Sequence, residues 1–102
     1  MIETDVAPIL GLGNDWPDTL YIVQDPRSGK YGCYRYQDIH GLAAFSSEAL
    51  SAQFARDFDL PGMTTHEVSF DEAREVAKSR PMPVVALMLC DVPHEPLIHF
   101  IR

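Results

Sequence analysis

The sequence predicts an α+β protein in which two helices pack against a mixed β-sheet. Stretches rich in β-branched and aromatic residues alternate with segments of helical periodicity, in the order β-β-β-α-β-α-β-β. The length of 102 residues suits one domain. Hydrophobic residues make up 46% of the chain, an ordinary fraction for a globular protein that excludes a largely disordered one.

Residues 1–18 are predicted to form an irregular N-terminal arm, and residues 19–102 the single α+β domain. The arm is rich in glycine and proline and has no sustained helical or alternating period. It is also too apolar for a free tail, since it contains Val6, Ile9, Leu10, Leu12 and Trp16. We therefore expect it to pack on its own domain or on a second subunit, with Trp16 as the anchor.

The first three strands follow the arm. TLYIV at 19–23 and YGCYRY at 31–36 are typical of strands, and the intervening QDPRSGK contains Asp-Pro and Ser-Gly turn formers. Together they predict a β-hairpin with a loop longer than two residues. GLAAF at 41–45 is predicted to be a third strand, which begins after a turn at 38–40.

The first helix is predicted to begin at Ser46 or Ser47, either of which is a suitable N-cap. Its apolar positions recur at helical spacing and predict one buried face. They are Ala49, Leu50, Phe54 and Phe58. The sequence Leu-Pro-Gly at 60–62 ends the helix.

The second half of the chain contains a strand, a helix and two further strands. HEVSF at 66–70 alternates as a strand does, and Ser69 with Glu72 has the spacing of a capping box. VVALMLC at 84–90 is apolar throughout, so we expect a central strand with both faces covered. PLIHFIR at 96–102 is the last predicted strand.

The charge pattern limits the classes of partner. The net charge is −7, from 15 acidic and 8 basic residues, and the bases form no patch, so the sequence argues against nucleic-acid binding. No apolar run reaches the about 20 residues that span a bilayer, so we expect no membrane association. Acidic residues stand where an export signal carries Lys or Arg, which predicts a cytoplasmic protein.

The stretch CDVPH holds the sequence's main candidate for a metal or catalytic site. Cys90, Asp91 and His94 are three residue types that bind zinc. However, strand alternation sends the first two to opposite faces, and neither C-x-x-C nor H-E-x-x-H spacing is present. We therefore interpret the stretch as a turn and expect no metal, cofactor or catalytic residue. Both cysteines, Cys33 and Cys90, are expected to be reduced and at least partly buried.

Aromatic residues crowd the first hairpin and offer a candidate binding surface. Tyr31, Tyr34 and Tyr36 lie close together with Arg35, and Tyr, Trp and Arg dominate binding hot spots. Alternation places Tyr34 and Tyr36 on one face of the strand and Tyr31 and Arg35 on the other. Packing between strands is the structural alternative for these tyrosines.

The segment 42–76 resembles a known bacterial family. A strand ending in AAFSSEAL, a helix, and a strand running into VSFDEAREVA resemble the N-terminal domain of the SseB-type (enhanced serine sensitivity) proteins, and similar small proteins of unknown function. The hairpin before this segment and VVALMLCD after it keep the same order, so the resemblance covers about residues 19–91. It implies no active site, and no catalytic residues are carried over from it.

These observations favour a non-enzymatic protein-interaction or accessory domain that acts as a homodimer or on another protein. An acidic inhibitor of the immunity-protein or antitoxin type, which covers a basic partner, is an alternative. A small enzyme, or a ligand- or metal-binding protein, built on Cys90, Asp91 and His94 is the other.

Overall fold

A computed structural model describes residues 16–102. These residues form two α-helices and six β-strands in the predicted order, and the α+β fold class is confirmed. The elements are β1 (Thr19–Gln24), β2 (Cys33–Tyr36), β3 (Ile39–Ala44), α1 (Glu48–Asp57), β4 (Thr64–Ser69), α2 (Phe70–Ser79), β5 (Val84–Leu89) and β6 (Leu97–Phe100). Within the described residues, neither helix has the length and apolar character needed to cross a bilayer.

The strands divide between two sheets. The larger sheet has the order β2-β3-β5-β6, in which β3 and β5 are parallel and the outer pairs are antiparallel. The position of β5 inside this sheet confirms the prediction of a covered central strand, and Ala86, Leu87 and Met88 are all 0% exposed. The smaller sheet pairs β1 with β4 along their full length. Two hydrogen bonds between Tyr21 and Phe45, of 2.8 and 2.9 Å, join the two sheets.

The predicted hairpin between the first two strands is wrong in its pairing. The chain does reverse there, with a single bridge between Gln24 and Tyr31 and a 2.9 Å bond from Gly32 N to Val23 O. Beyond this point β1 pairs with β4, whereas β2 turns away and pairs with β3. Turn residues show where a chain reverses, but the strand partner depends on which apolar faces meet in the folded core.

The turn between β2 and β3 also differs from the prediction. It consists of Gln37 and Asp38, whose φ angles are 48° and 69°, and Tyr36 pairs directly with Ile39. Two consecutive left-handed residues form the tight turn that matches strand twist, usually made by Asn-Gly or Asp-Gly. Because Gln-Asp lacks this signature, the sequence places the start of β3 two residues too late.

Both helices begin as predicted. Leu50 N donates to the side chain of Ser47 over 3.2 Å at the start of α1. At α2, Ser69 N donates to Glu72 Oε1 over 2.8 Å and Glu72 N donates to Ser69 Oγ over 3.0 Å, so the capping box is present. These local bonds satisfy backbone donors that a helix leaves without internal partners.

Two apolar clusters form the core, one containing α2 residues and the other containing Phe54 of α1. The α2 cluster includes Ala73 and Ala77, and it extends to Trp16 before β1. Trp16 is 6% exposed and its ring lies 5.4 Å from that of Phe70. This residue therefore anchors the end of the predicted arm to its own domain. The rest of the arm, residues 1–15, lies outside the described part of the chain.

Candidate functional site

Cys90, at the end of β5, is packed in the core. It is 2% exposed, and its Sγ donates to Met88 O over 3.7 Å. Burial raises the pKa of the Cys90 thiol to about 12; a backbone hydrogen bond involving Ala44 opposes the increase and the Asp91 charge adds to it. A nucleophilic cysteine requires a lowered thiol pKa and access to substrate, so this residue has neither property.

Asp91 has a structural partner. Its carboxylate accepts hydrogen bonds from Ser46 N, over 2.9 Å, and from the Ser46 hydroxyl. Asp91 therefore has a structural role, in which it joins the turn after β5 to the segment before α1. His94 is exposed, and no group of three or more His, Cys, Asp or Glu side chains in residues 16–102 is arranged to hold a metal.

Cys33 departs from the expectation that both cysteines are at least partly buried. Both are free, but Cys33 is exposed on β2, at the edge of the larger sheet. α2 packs across β5 and β3, so the edge strand receives less cover. Cys33 Sγ donates a hydrogen bond to Tyr31 O over 3.6 Å. Desolvation there raises the pKa of the Cys33 thiol, and the charge of Arg80 opposes this increase.

The candidate binding residues of the aromatic hairpin lie on the two faces that alternation predicts. Tyr34 and Tyr36 pack against the α1 cluster, whereas Tyr31 packs against the α2 cluster and Arg35 is exposed. The Arg80 guanidinium carbon lies 4.9 Å from the centre of the Tyr31 ring, so one face of this ring is already occupied. The structure therefore does not bring these four side chains together as one surface.

The structure instead assembles a row of aromatic rings beside α1, which we call the aromatic ridge and define as Phe45, Phe54, Phe58 and Tyr34. Phe45 and Phe54 are buried and form its base, at 2% and 6% exposed, so Phe58 and Tyr34 form its accessible part. Ring centroids are 5.1 Å apart for Phe45 and Phe54, 4.7 Å for Phe54 and Phe58, and 6.0 Å for Phe58 and Tyr34. Phe58 is 51% exposed, although it contacts two other aromatic rings. The Tyr34 hydroxyl donates to Pro93 O over 3.2 Å, which fixes the ridge against the β5–β6 turn.

Depressions lie on both sides of Phe58. The first, which we call the apolar groove, has a volume of about 400 Å³ and separates α1 from the segment 25–33; Phe54, Leu60 and Met63 contribute to its lining. The second, the acidic groove, has a volume of about 150 Å³ and lies between α1 and the β5–β6 turn. Its lining includes Asp57 and Asp91 beside the apolar Leu50 and Phe58.

Phe58 is the residue that the sequence assigned to the wrong environment. Helical spacing placed it on the buried face with Phe54, but α1 ends at Asp57 and Phe58 is its C-cap. Asp59 follows with a φ of 53°, which turns the chain away before it could cover the ring. The signal for exposure was the pair of aspartates on either side of Phe58, since charged residues are rarely fully buried.

No family model, no curated protein and no solved structure matches the chain. The residues described here provide an exposed aromatic side chain between two grooves, and neither cysteine provides an activated nucleophile. Such an arrangement is suited to binding another protein surface.

Proposed function

We propose that this protein is a non-enzymatic protein-interaction domain that binds its partner through the aromatic ridge. The observation that carries the proposal is Phe58, a large apolar side chain that is half exposed and lies between two grooves. Aromatic residues beside pockets are the usual centres of binding energy in protein interfaces. Burial of the exposed part of this ring by a partner removes apolar surface from water and favours association.

The ridge is held in place before any partner arrives. Leu60 N donates to Ala55 O over 2.8 Å and Asp59 N donates to Arg56 O over 3.1 Å, which closes the end of α1 around Phe58. The Tyr34 ring on β2 adds an edge-on contact with the Phe58 ring. A preorganised surface loses less conformational entropy on binding than a flexible one, so more of the contact energy appears as affinity.

The proposal retains Tyr34 from the candidate binding residues and adds Phe58. A second copy of this chain is one partner that we propose. We also propose that the protein is related to the SseB-type proteins of bacteria. Free Cys33 and Cys90 support a reducing compartment, and we propose the cytoplasm as the site of action.

Site-specific crosslinking tests this function. A photoreactive amino acid is placed at position 58 in one variant and at position 82 in a matched control, because Met82 is 67% exposed but lies away from the ridge. We expect one defined adduct from position 58 in the native host and none from position 82. An adduct of twice the chain's mass identifies a second copy as the partner.

The complex is then reconstituted from purified proteins. Phe58→Ser is expected to weaken it about 30-fold, which corresponds to the about 2 kcal/mol typical of a hot spot. Met82→Ser is expected to stay within about twofold. Equal adducts from both positions, or a reconstituted complex that Phe58→Ser leaves intact, contradicts the proposal.

A further inference from the structure

The two grooves beside Phe58 differ in charge, and this difference points to the chemistry of the partner. We infer that the partner presents a Lys or Arg side chain to the acidic groove next to a bulky apolar side chain in the apolar groove. This inference rests on the proposed function, since it concerns the same surface. It commits to a basic, amphipathic protein segment as the occupant.

The acidic groove has the composition of a site for a long cationic side chain. Asp57 and Asp91 supply negative charge, while Leu50 and Phe58 supply apolar wall. Among the described residues, no Lys, Arg or His lines this groove. Lys and Arg place an aliphatic stem along apolar surface and keep the charged end near polar groups, so both parts of the side chain have a matching neighbour here. The exposed face of Phe58 can also attract a cation.

Both carboxylates remain able to accept further hydrogen bonds. Asp57 Oδ1 accepts from Gln53 Nε2 over 2.7 Å, and among residues 16–102 Asp91 accepts from the amide and hydroxyl of Ser46. Neither carboxylate forms a salt bridge with a basic group in residues 16–102. An ionised carboxylate has about four acceptor positions, so these neutral donors leave capacity for an ammonium or guanidinium group. The negative charge of the groove is therefore not neutralised within the domain.

The apolar groove lacks this charge excess. Asp25 and Lys30 both line it, and the Asp25 carboxylate is already 3.4 Å from Arg27 Nε. The groove is larger than its neighbour, at about 400 Å³, and its lining includes the apolar Phe54, Leu60 and Met63. It is therefore suited to an apolar side chain. Because Phe58 lines both grooves, the basic and apolar residues of the partner must lie close together.

The charge of the whole chain favours the same partner. A net charge of −7 attracts a basic segment at long range and increases its association rate, whereas it repels an acidic one. The acidic groove then provides the local contact that follows this approach. Long-range attraction and local contact respond differently to substitution, which allows them to be separated experimentally.

Binding of three defined peptides to the purified full chain tests the inference. The first is an amphipathic helix of leucine and lysine, the second has every lysine replaced by glutamate, and the third has every leucine replaced by serine. Amide chemical shifts locate the binding site, and fluorescence anisotropy of labelled peptide gives the affinity. Only the leucine–lysine peptide is expected to shift the signals of residues lining both grooves.

Two pairs of matched variants identify the groups involved. Asp57→Asn is expected to weaken binding of the leucine–lysine peptide about fivefold, as for a partly exposed charge pair, and Glu67→Gln on β4 to change it less than about twofold. Phe58→Ser is expected to weaken it more strongly than Met82→Ser. Thermal unfolding shows whether Phe58→Ser folds. If it does not, Asp57→Asn still tests the site in a folded protein.

The outcomes separate this inference from the proposed function. If the glutamate peptide binds as well as the lysine peptide and Phe58→Ser weakens both, the basic partner is wrong but the ridge is still a binding surface. Failure of the leucine–lysine peptide to bind also overturns the basic partner, while crosslinking from position 58 still tests the ridge. If every variant binds the lysine peptide equally, only net charge acts and the inference of a basic partner fails, while crosslinking from position 58 still tests the ridge.

Discussion

The two cysteines are expected to differ sharply in reactivity in the folded protein, and this difference tests the rejection of Cys90 as a nucleophile. The perturbation is Cys33→Ser, which leaves Cys90 as the only thiol. With a pKa of about 12, roughly one Cys90 thiol in 10,000 is ionised at pH 8, against about one in four for an unperturbed thiol of pKa about 8.5. The thiolate fraction is therefore lower by about 2,000-fold.

The higher nucleophilicity of a more basic thiolate partly offsets this decrease in the thiolate fraction. A more basic thiolate is a better nucleophile, and over the difference of about 3.5 pH units this gains roughly 40-fold. Ionisation alone therefore slows Cys90 by about 60-fold, from the ratio of these two factors. Its 2% exposure slows it further, because a disulfide reagent must reach the sulfur. The expected rate in native Cys33→Ser is thus at least about 60-fold below that of the same variant unfolded.

Absorbance at pH 8 with an aromatic disulfide reagent measures both rates. In the wild-type protein we expect Cys33 to react first because it is exposed, although more slowly than an unperturbed thiol because its pKa is raised, and Cys90 to react only when denaturant is added. The complementary Cys90→Ala variant should retain the accessible thiol. If the thiol of native Cys33→Ser reacts within about tenfold of its unfolded rate, the burial and pKa argument for Cys90 is refuted.

Three predictions concern stability, measured by urea denaturation. Gly41→Ala should lower the free energy of unfolding by about 1–3 kcal/mol, because the added methyl would lie 2.7 Å from Met88 Cγ in a filled core. Asp91→Ala should lower it by about 1–3 kcal/mol, because the amide and hydroxyl of Ser46 lose their acceptor. Above pH about 8.5 the unfolded chain loses the Cys90 proton, whereas the folded chain retains it up to about pH 12. The free energy of unfolding should therefore decrease as the pH rises through this range, by up to about 1.4 kcal/mol per pH unit.

Two of these predictions have a control variant, and the third has an outcome that contradicts it. Glu95→Ala is a matched substitution of an exposed acid in the same turn as Asp91 and should change stability by less than about 0.5 kcal/mol. Cys90→Ala should reduce the alkaline slope, and an unchanged slope would assign it to other groups. For Gly41, an alanine variant as stable as wild type would show that the Met88 side chain moves aside without cost.

Local features of the fold could be predicted from the sequence because their causes are local. The capping box of Ser69 and Glu72 depends on two residues three positions apart, and the unbroken apolar run of β5 shows burial on both faces. Strand partners could not be predicted in the same way. Nothing in TLYIV shows that β1 pairs with β4 rather than with the strand that follows it. This choice of partner depends on how α1 and α2 cover the sheets.

The candidate site was only partly predictable for a related reason. Tyr34 was singled out from its aromatic neighbourhood, and it does contribute to the ridge. Phe58 was assigned to the core because periodicity counts positions along an ideal helix, whereas α1 ends one residue before it. The grooves involve segments 25–33 and 90–93, which are distant in sequence from α1. Their convergence is a property of the folded chain that no local pattern contains.

The parallel pairing of β3 with β5 determines when the proposed binding surface forms. Because α1, β4 and α2 all lie between these strands, a long loop must close before the larger sheet forms, and such non-local contacts make folding slow. The acidic groove needs α1 and the turn after β5 together, so it exists only after this closure. Until β5 has paired with β3, Phe58 therefore lacks the acidic groove. Refolding kinetics and recovery of binding should consequently share one rate-limiting step.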